Sequence, residues 1–201
     1  MCGRVIQSSG PLRLAIVEGL DVSDSRMGNI RPRYNAAPSQ ELLVIRENHK
    51  TGERSLDLIK WGLIPHWCQD PKGGRRPINA KAESVARLPM FRDAYALRRC
   101  IVPVDGFFEW RAIKGARAKQ PYAIAMKDGS PFGLAGLWEN WRNPNTGEWE
   151  RTLRLSPCLP TSWCVKSMTA CLRSLNLLGT TAGWISNLIR TISSSLILQS
   201  Q

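Results

Sequence analysis

Between Glu41 and Trp138 the chain falls into short β-rich runs divided by glycine-bearing turns, and nowhere does it alternate strand, long helix and strand. A parallel sheet needs that alternation. The pattern therefore confines the fold to α+β: a curled, mostly antiparallel β-sheet or open barrel with a few flanking helices. Glu41–Arg46 and Ser55–Trp61 bracket His49-Lys50-Thr51-Gly52 as one hairpin. Cys100–Val104 and Phe107–Trp110 flank Asp105-Gly106, while Tyr122–Met126 and Phe132–Trp138 flank Asp128-Gly129, so each pair reads as a further hairpin. Helices are expected over Pro11–Leu20, where proline opens the first turn without losing a needed amide bond, and near Met90–Arg99 after Pro89. Asp21–Arg33 and the basic stretch Gln69–Pro77 read as loops.

A length of 201 residues suits one domain with a real core. Lys and Arg number 28 against 16 Asp and Glu, and the resulting charge of +12 favours a polyanion partner such as nucleic acid. The six cysteines, at positions 2, 68, 100, 158, 164 and 171, form no Cys-x-x-Cys pair, and only His49 and His66 could join them as ligands. Neither a zinc site nor a disulfide framework is expected, and no cofactor is implied. The N-terminus carries no signal-type apolar run, and the longest uncharged stretch, Ser174 to Ile189, is 16 residues long and polar in part. A cytoplasmic, membrane-free monomer follows as the expectation, nucleoid-associated in a bacterium.

Cys2 carries the most distinctive chemistry. Removal of Met1 beside so small a residue leaves a free amine and a thiol on one carbon skeleton, a 1,2-aminothiol. Such a group captures an aldehyde in two steps: the amine forms a Schiff base, and the thiol closes on the imine carbon to give a thiazolidine. An α-amine pKa of about 8 and a thiol pKa of about 8.5 leave reactive amine near neutral pH. Taken alone, Cys2 reads more simply as an ordinary early residue.

Five segments remove that ambiguity together. Met1-Cys2-Gly3-Arg4, Arg33-Tyr34-Asn35-Ala36-Ala37-Pro38, Trp61-Gly62-Leu63-Ile64-Pro65-His66-Trp67, Ile78-Asn79-Ala80-Lys81-Ala82-Glu83 and the run Arg99 to Trp110 closely resemble the SRAP (SOS response-associated peptidase) family, in order. The resemblance runs from residue 1 to about 152. It implies a sensor of abasic sites in single-stranded DNA, a DNA-damage protein that becomes covalently attached through its N-terminal cysteine. Cys2 would be the nucleophile, Asn79 would hold the sugar or the reacting amine, and Glu109 would relay protons. Considered singly, Asn79 has a plainer role as a turn residue and Glu109 as a solvated strand residue. The similar positions for DNA contact are Arg4, Lys81 and Trp110, with Arg33 and Trp67 beside them. Lys81 stands where the family more often has Arg, turning a two-pronged phosphate grip into a point contact. Trp61 and Trp138 are expected in the core, and His66 as a structural or a rim residue rather than a catalyst. Two other functions stay open: an N-terminal-cysteine autopeptidase, and a noncatalytic single-strand binder.

After Thr152 the resemblance stops, so the SRAP-like domain over 1–152 is incomplete and 153–201 forms a tail unlike the family. Ser156 to Gln201 holds no Asp or Glu and half of the cysteines. No histidine follows His66, although the family has a His-x-Arg-Met-Pro motif in this region. Read in a shifted frame, Pro160 to Leu172 permits Asn-Glu-Leu-Val-Arg-Glu-Ile-His-Asp-Arg-Met-Pro, and Gly179 to Trp184 permits Tyr-Asp-Arg-Trp-Leu. A frame change near Leu153 is the expectation, with a poorly packed tail beyond it.

Overall fold

The structure, a computed structural model, describes residues 3–20, 30–70, 78–79, 82–115, 117–155 and 196–200. Its first unit is the expected hairpin. Strand β3 (Glu41–Glu47) pairs with β4 (Arg54–Trp61) from Glu41 opposite Lys60 to Glu47 opposite Arg54. The turn is closed by Gly52 at φ 71°, a conformation that only glycine adopts without strain. β3 is buried on both faces, which explains its unbroken Leu42-Leu43-Val44-Ile45 run. Leu42 and Val44 enter the main core, while Leu43 and Ile45 lie under Leu14 and Ala15. Those two belong to α1 (Pro11–Ala15), shorter than the expected helix because a 3₁₀ turn, Ile16–Glu18, and Gly19 at φ 59° end it.

The hairpin closes into a barrel, in the order β3, β4, β9 (Trp149–Leu155), β8 (Phe132–Arg142), β5 (Arg99–Val104) and back to β3. Every seam is antiparallel except β4 with β9, where Lys60 lies opposite Thr152 and Trp61 opposite Leu153. A separate five-stranded sheet has the order β10 (Leu196–Ser200), β7 (Lys119–Met126), β6 (Gly106–Ala112), β1 (Arg4–Gln7), β2 (Arg33–Ala36). Two short helices, α2 (Ala82–Val85) and α3 (Pro89–Leu97), complete the described elements. The α+β, largely antiparallel character expected from the sequence is what is observed, with the curl completed into a closed barrel. Sheet and barrel share one core, in which Val5, Phe107 and Ile124 pack with Val44, Ile59, Trp61, Val102 and Leu153. Burying each such side chain contributes about 1.5–3 kcal/mol.

Two of the three expected hairpins are not hairpins. β5 and β6 flank Asp105-Gly106, yet β5 pairs with β3 and β8 in the barrel and β6 with β1 and β7 in the sheet. β7 and β8, on either side of Asp128-Gly129, likewise belong to different sheets. Both Asp-Gly pairs carry the chain from one sheet to the other. Asp105 accepts hydrogen bonds from the Ser8 and Ser9 amides at 2.7 and 2.8 Å and from both hydroxyls, fixing the exit from β1. Gly106 is required by proximity, because a Cβ there would sit 2.8 Å from the Ile124 carbonyl oxygen. The β6–β7 hairpin turns instead near Gly115 at φ 83°.

Gln7 joins the two sheets. Its side-chain amide donates to the carbonyls of Leu43 at 2.9 Å and Pro103 at 2.7 Å and accepts from the Leu43 amide at 2.9 Å. The side chain thus supplies rungs between β3 and β5, which pair directly only at Ile45–Ile101 and Arg46–Cys100. These three bonds pair both ends of the Gln7 amide, which is the condition for burying it cheaply.

Candidate functional site

Strand β6 runs from core to solvent. Gly106 and Phe107 are buried, Phe108 and Glu109 half-buried, and Trp110 to Ala112 exposed. Its antiparallel partner β1 sets Arg4 opposite Phe108 and Val5 opposite Phe107. The register ends at the Arg4–Phe108 pair, so Glu109 is the next residue of β6 past the N-terminal end of β1. On its other side Glu109 lies opposite Tyr122 of β7. Cys2 itself, like Lys81, falls outside the described residues.

Alternation along the strands sorts the remaining residues by face. Val5 and Phe107 point into the core, so Arg4 and Phe108 share the outer face of the sheet. There the Arg4 guanidinium donates to Asn35 Oδ1 at 3.0 Å, and the rings of Phe108 and Trp110 lie 6.5 Å apart, tilted by 43°. Trp110 is 40% exposed. Arg4, Asn35, Phe108 and Trp110 make a cationic and aromatic strip suited to phosphate and base. Arg33, at the far end of β2 opposite Gln7, is half-buried.

Asn79 arrives by a different route. It forms an isolated parallel bridge with Leu155 at the end of β9. The carbonyl of its neighbour Ile78 accepts from the Leu155 amide and from the Trp61 indole, both at 3.1 Å. Trp61, fully buried as expected of a core residue, thereby also fixes the segment that carries Asn79. The Asn79 side-chain oxygen is sealed from solvent. Ile78 packs against the same core as Val5 and Phe107, so the supports of Arg4, Asn79 and Glu109 converge on one cluster.

Trp67 stands on the loop after β4 and is 51% exposed. The loop is tied to the barrel by the Gly62 amide to the Leu153 carbonyl and the Ile64 amide to Thr152 Oγ1, at 2.8 and 2.9 Å. His66, at the rim as expected, has Nδ1 3.2 Å from the Glu139 carboxylate. Trp138 is buried.

Sequence reasoning missed Asn35, Phe108 and Tyr122, whose signal was cross-strand pairing that no linear pattern reveals. It also missed four ionisable groups that are buried or half-buried. Glu139 is almost fully buried beside the Arg98 guanidinium at 2.6 Å. Arg154 lies against the Phe91 ring at 3.5 Å, and burial lowers its pKa to about 9. Burial raises Glu18 to about 7, against a smaller opposing pull from Arg54. Burial also pushes the Cys100 thiol far above the usual range, which leaves it inert. Among the described residues no group of three His, Cys, Asp or Glu side chains could hold a metal, and no helix is long and apolar enough to cross a membrane. A groove of about 650 Å³ on the barrel wall, lined by Leu58, Lys60, Asn140, Trp149 and Arg151, includes none of the expected site residues.

The described residues form a closed β-barrel and an open sheet on a shared core, with a cationic and aromatic strip on the outer face of β1 and β6. The chain belongs to the SRAP family: the model of SOS response associated peptidase (SRAP) matches residues 1–156. Among similar proteins is abasic site processing protein YoqW of Bacillus subtilis, 40% identical over 117 residues, covering 58% of this chain and 51% of YoqW. YedK of Escherichia coli is 32% identical over 139 residues, covering 68% and 59%, and HMCES of Xenopus tropicalis is 28% identical over 152 residues, covering 62% and 45%. Both carry the same descriptive name, abasic site processing protein. The chain thus spans about half the length of the curated relatives it matches. A crystal structure of a protein from Bacteroides thetaiotaomicron shares the fold, with a TM-score of 0.70 at 23% identity over 99% of this chain and 91% of that one.

Proposed function

We propose that this chain recognises abasic sites in single-stranded DNA and captures them covalently through Cys2 once Met1 is removed. The observation that carries the reading is the β1–β6 register, whose last pair, Arg4–Phe108, leaves Glu109 one residue past the N-terminal end of β1. Family membership and the names of the relatives supply the substrate class. In the proposed reaction the Cys2 amine adds to the C1 aldehyde of the ring-opened deoxyribose and water leaves, giving an imine. The thiol then adds to the imine carbon, its proton passes to the nitrogen, and a thiazolidine results; the net loss is one water. Glu109 donates a proton to the leaving hydroxyl and takes one from the attacking amine, a role suited to a half-buried carboxylate. Asn79 holds the sugar or the amine. Arg4, Arg33 and Lys81 hold phosphates while Trp110 and Trp67 stack bases, the usual basis of single-strand binding without sequence readout.

The test is to mix untagged protein of verified N-terminal mass with single-stranded DNA containing one abasic site. A heat-stable shifted band that Cys2→Ala removes is expected. Binding without any covalent band would leave a noncatalytic single-strand binder. A tag ahead of Cys2 should also abolish the band, since the amine is then an amide.

We further infer that a frame change near Leu153 replaced the end of the domain, removing the family histidine that would lie at the Ser167/Met168 junction. Support comes from Arg154, a fully buried guanidinium on a barrel strand whose Nε and Nη1 have no hydrogen-bond partner among the described residues. An inward strand position calls for an apolar residue. Sequencing the gene decides the matter, because wobble bases that fail to restore the His-x-Arg-Met-Pro motif would dispose of it.

A further inference from the structure

One face of β8 presents Leu137, Glu139 and Trp141 in succession, each at most 2% exposed. Leu137 packs with Leu63 of the Trp67 loop and with Phe91 and Ala94 of α3. The other two reach the residues on either side of Trp67. Glu139 Oε2 meets His66 Nδ1 at 3.2 Å, and the Trp141 indole donates to the Cys68 carbonyl at 2.6 Å. Glu139 is itself held by Arg98 at 2.6 Å, while His66 Nε2 has Asp93 at 3.9 Å. A carboxylate taken out of water at this cost is expected to be paired, and here Oε1 meets the Arg98 guanidinium and the Asn140 amide while Oε2 lies 3.2 Å from His66 Nδ1. Trp67, between two clamped neighbours, stays half in solvent.

We propose that Glu139 is a positioning residue for single-strand binding: through His66 it holds the loop so that the Trp67 indole is presented as a preformed stacking surface. The proposal rests on the reading of Trp67 as a base platform. A platform whose loop is already ordered loses less freedom when a base stacks on it, and so binds more tightly than a mobile one with the same ring.

The test uses the full chain and a labelled oligothymidylate without an abasic site, so that covalent capture does not enter. Dissociation constants are measured for the native protein, Trp67→Ala, His66→Ala, Glu139→Gln and the double variant Trp67→Ala/His66→Ala, with hydrogen exchange of the loop amides in parallel. Trp67→Ala is expected to weaken binding about tenfold, the loss of one stacked base. His66→Ala and Glu139→Gln should each weaken it about threefold and speed exchange in the loop. In the Trp67→Ala background the His66→Ala effect should vanish, because a clamp without its platform has nothing to position. His66 is 44% exposed and its replacement leaves Glu139 paired with Arg98, so this variant folds even if Glu139→Gln does not. A His66→Ala loss that persists without Trp67 overturns the proposal, as does faster loop exchange with unchanged affinity. If Trp67→Ala binds like the native protein, the platform reading itself fails and the proposal with it.

Discussion

β8 and β6 are both antiparallel strands of this chain, and they behave oppositely. β8 is buried over most of its eleven residues, because one face fills the barrel and α3 with the Trp67 loop covers the other. β6 is buried for two residues, half-buried for two and exposed for three, since the cover over the outer sheet runs out partway along it. Of the described residues expected to touch DNA, Arg4 and Arg33 begin their strands, Trp110 lies in the exposed half of β6 and Trp67 on a loop, and each is at least partly exposed. The barrel supplies rigidity, and chemistry gathers where burial fades. Such a division is physically reasonable: a group that must meet a ligand cannot be sealed, and a group that must hold geometry cannot be mobile.

That division makes distinct demands on mutants. Glu109→Gln should slow adduct formation by about 100-fold or more, the usual worth of a positioned general acid or base, and leave the melting temperature within a degree or two. Quench-flow gels and calorimetry on the same sample check both halves, and a large loss of stability would mean that β6 is core after all. Gln7→Leu, at the seam between the two regions, should cost about 3 kcal/mol in denaturant unfolding by orphaning one amide and two carbonyls, with adduct formation slowed only as far as folding fails. Trp61→Phe keeps the bulk of a buried ring but loses the indole bond to Ile78. About 1–2 kcal/mol of stability and a several-fold slower adduct are expected, with oligothymidylate affinity unchanged.

Glu18 gives a smaller effect with a definite sign. Its pKa, raised to about 7 against an unfolded value of 4.5, means that the native state holds the proton more tightly. The stability this confers is complete below about pH 4.5 and is lost as pH rises through about 7. Discounted for solvent screening at a partly exposed site, the change is about 1 kcal/mol, and Glu18→Gln should flatten it in unfolding curves taken at pH 5 and pH 8. The smallest effect is at Ser39, whose φ of 73° is left-handed although it is not glycine. Ser39→Gly should add about 0.5–1 kcal/mol, and a loss instead would show that the hydroxyl matters more than the backbone there.

The β3–β4 hairpin was legible because its turn is local: Gly52 and an apolar run on each side are enough to bring neighbours together. The Asp105-Gly106 and Asp128-Gly129 segments carry the same local signal and do something else. Whether an Asp-Gly turn folds a strand back on itself or sends it to another sheet depends on partners far away in the chain. For β6 that partner is β1, about 100 residues earlier. Of the proposed site, Cys2, Asn79 and Glu109 were readable as residue types set in motifs. The Asn35 support of Arg4, the Trp61 support of Asn79 and the Glu139 clamp beside Trp67 were not, because each joins segments with no common pattern.

The sequence by itself determined the α+β class, the family and the chemical identity of the groups proposed to react, since periodicity, turn residues and functional atoms are properties of short segments. Only the tertiary structure decided which strands pair, that the barrel closes on a parallel β4–β9 seam, and that β1 ends opposite Phe108, one residue short of Glu109. Those outcomes follow from long-range packing around a shared core, where the burial of distant side chains outweighs local preference.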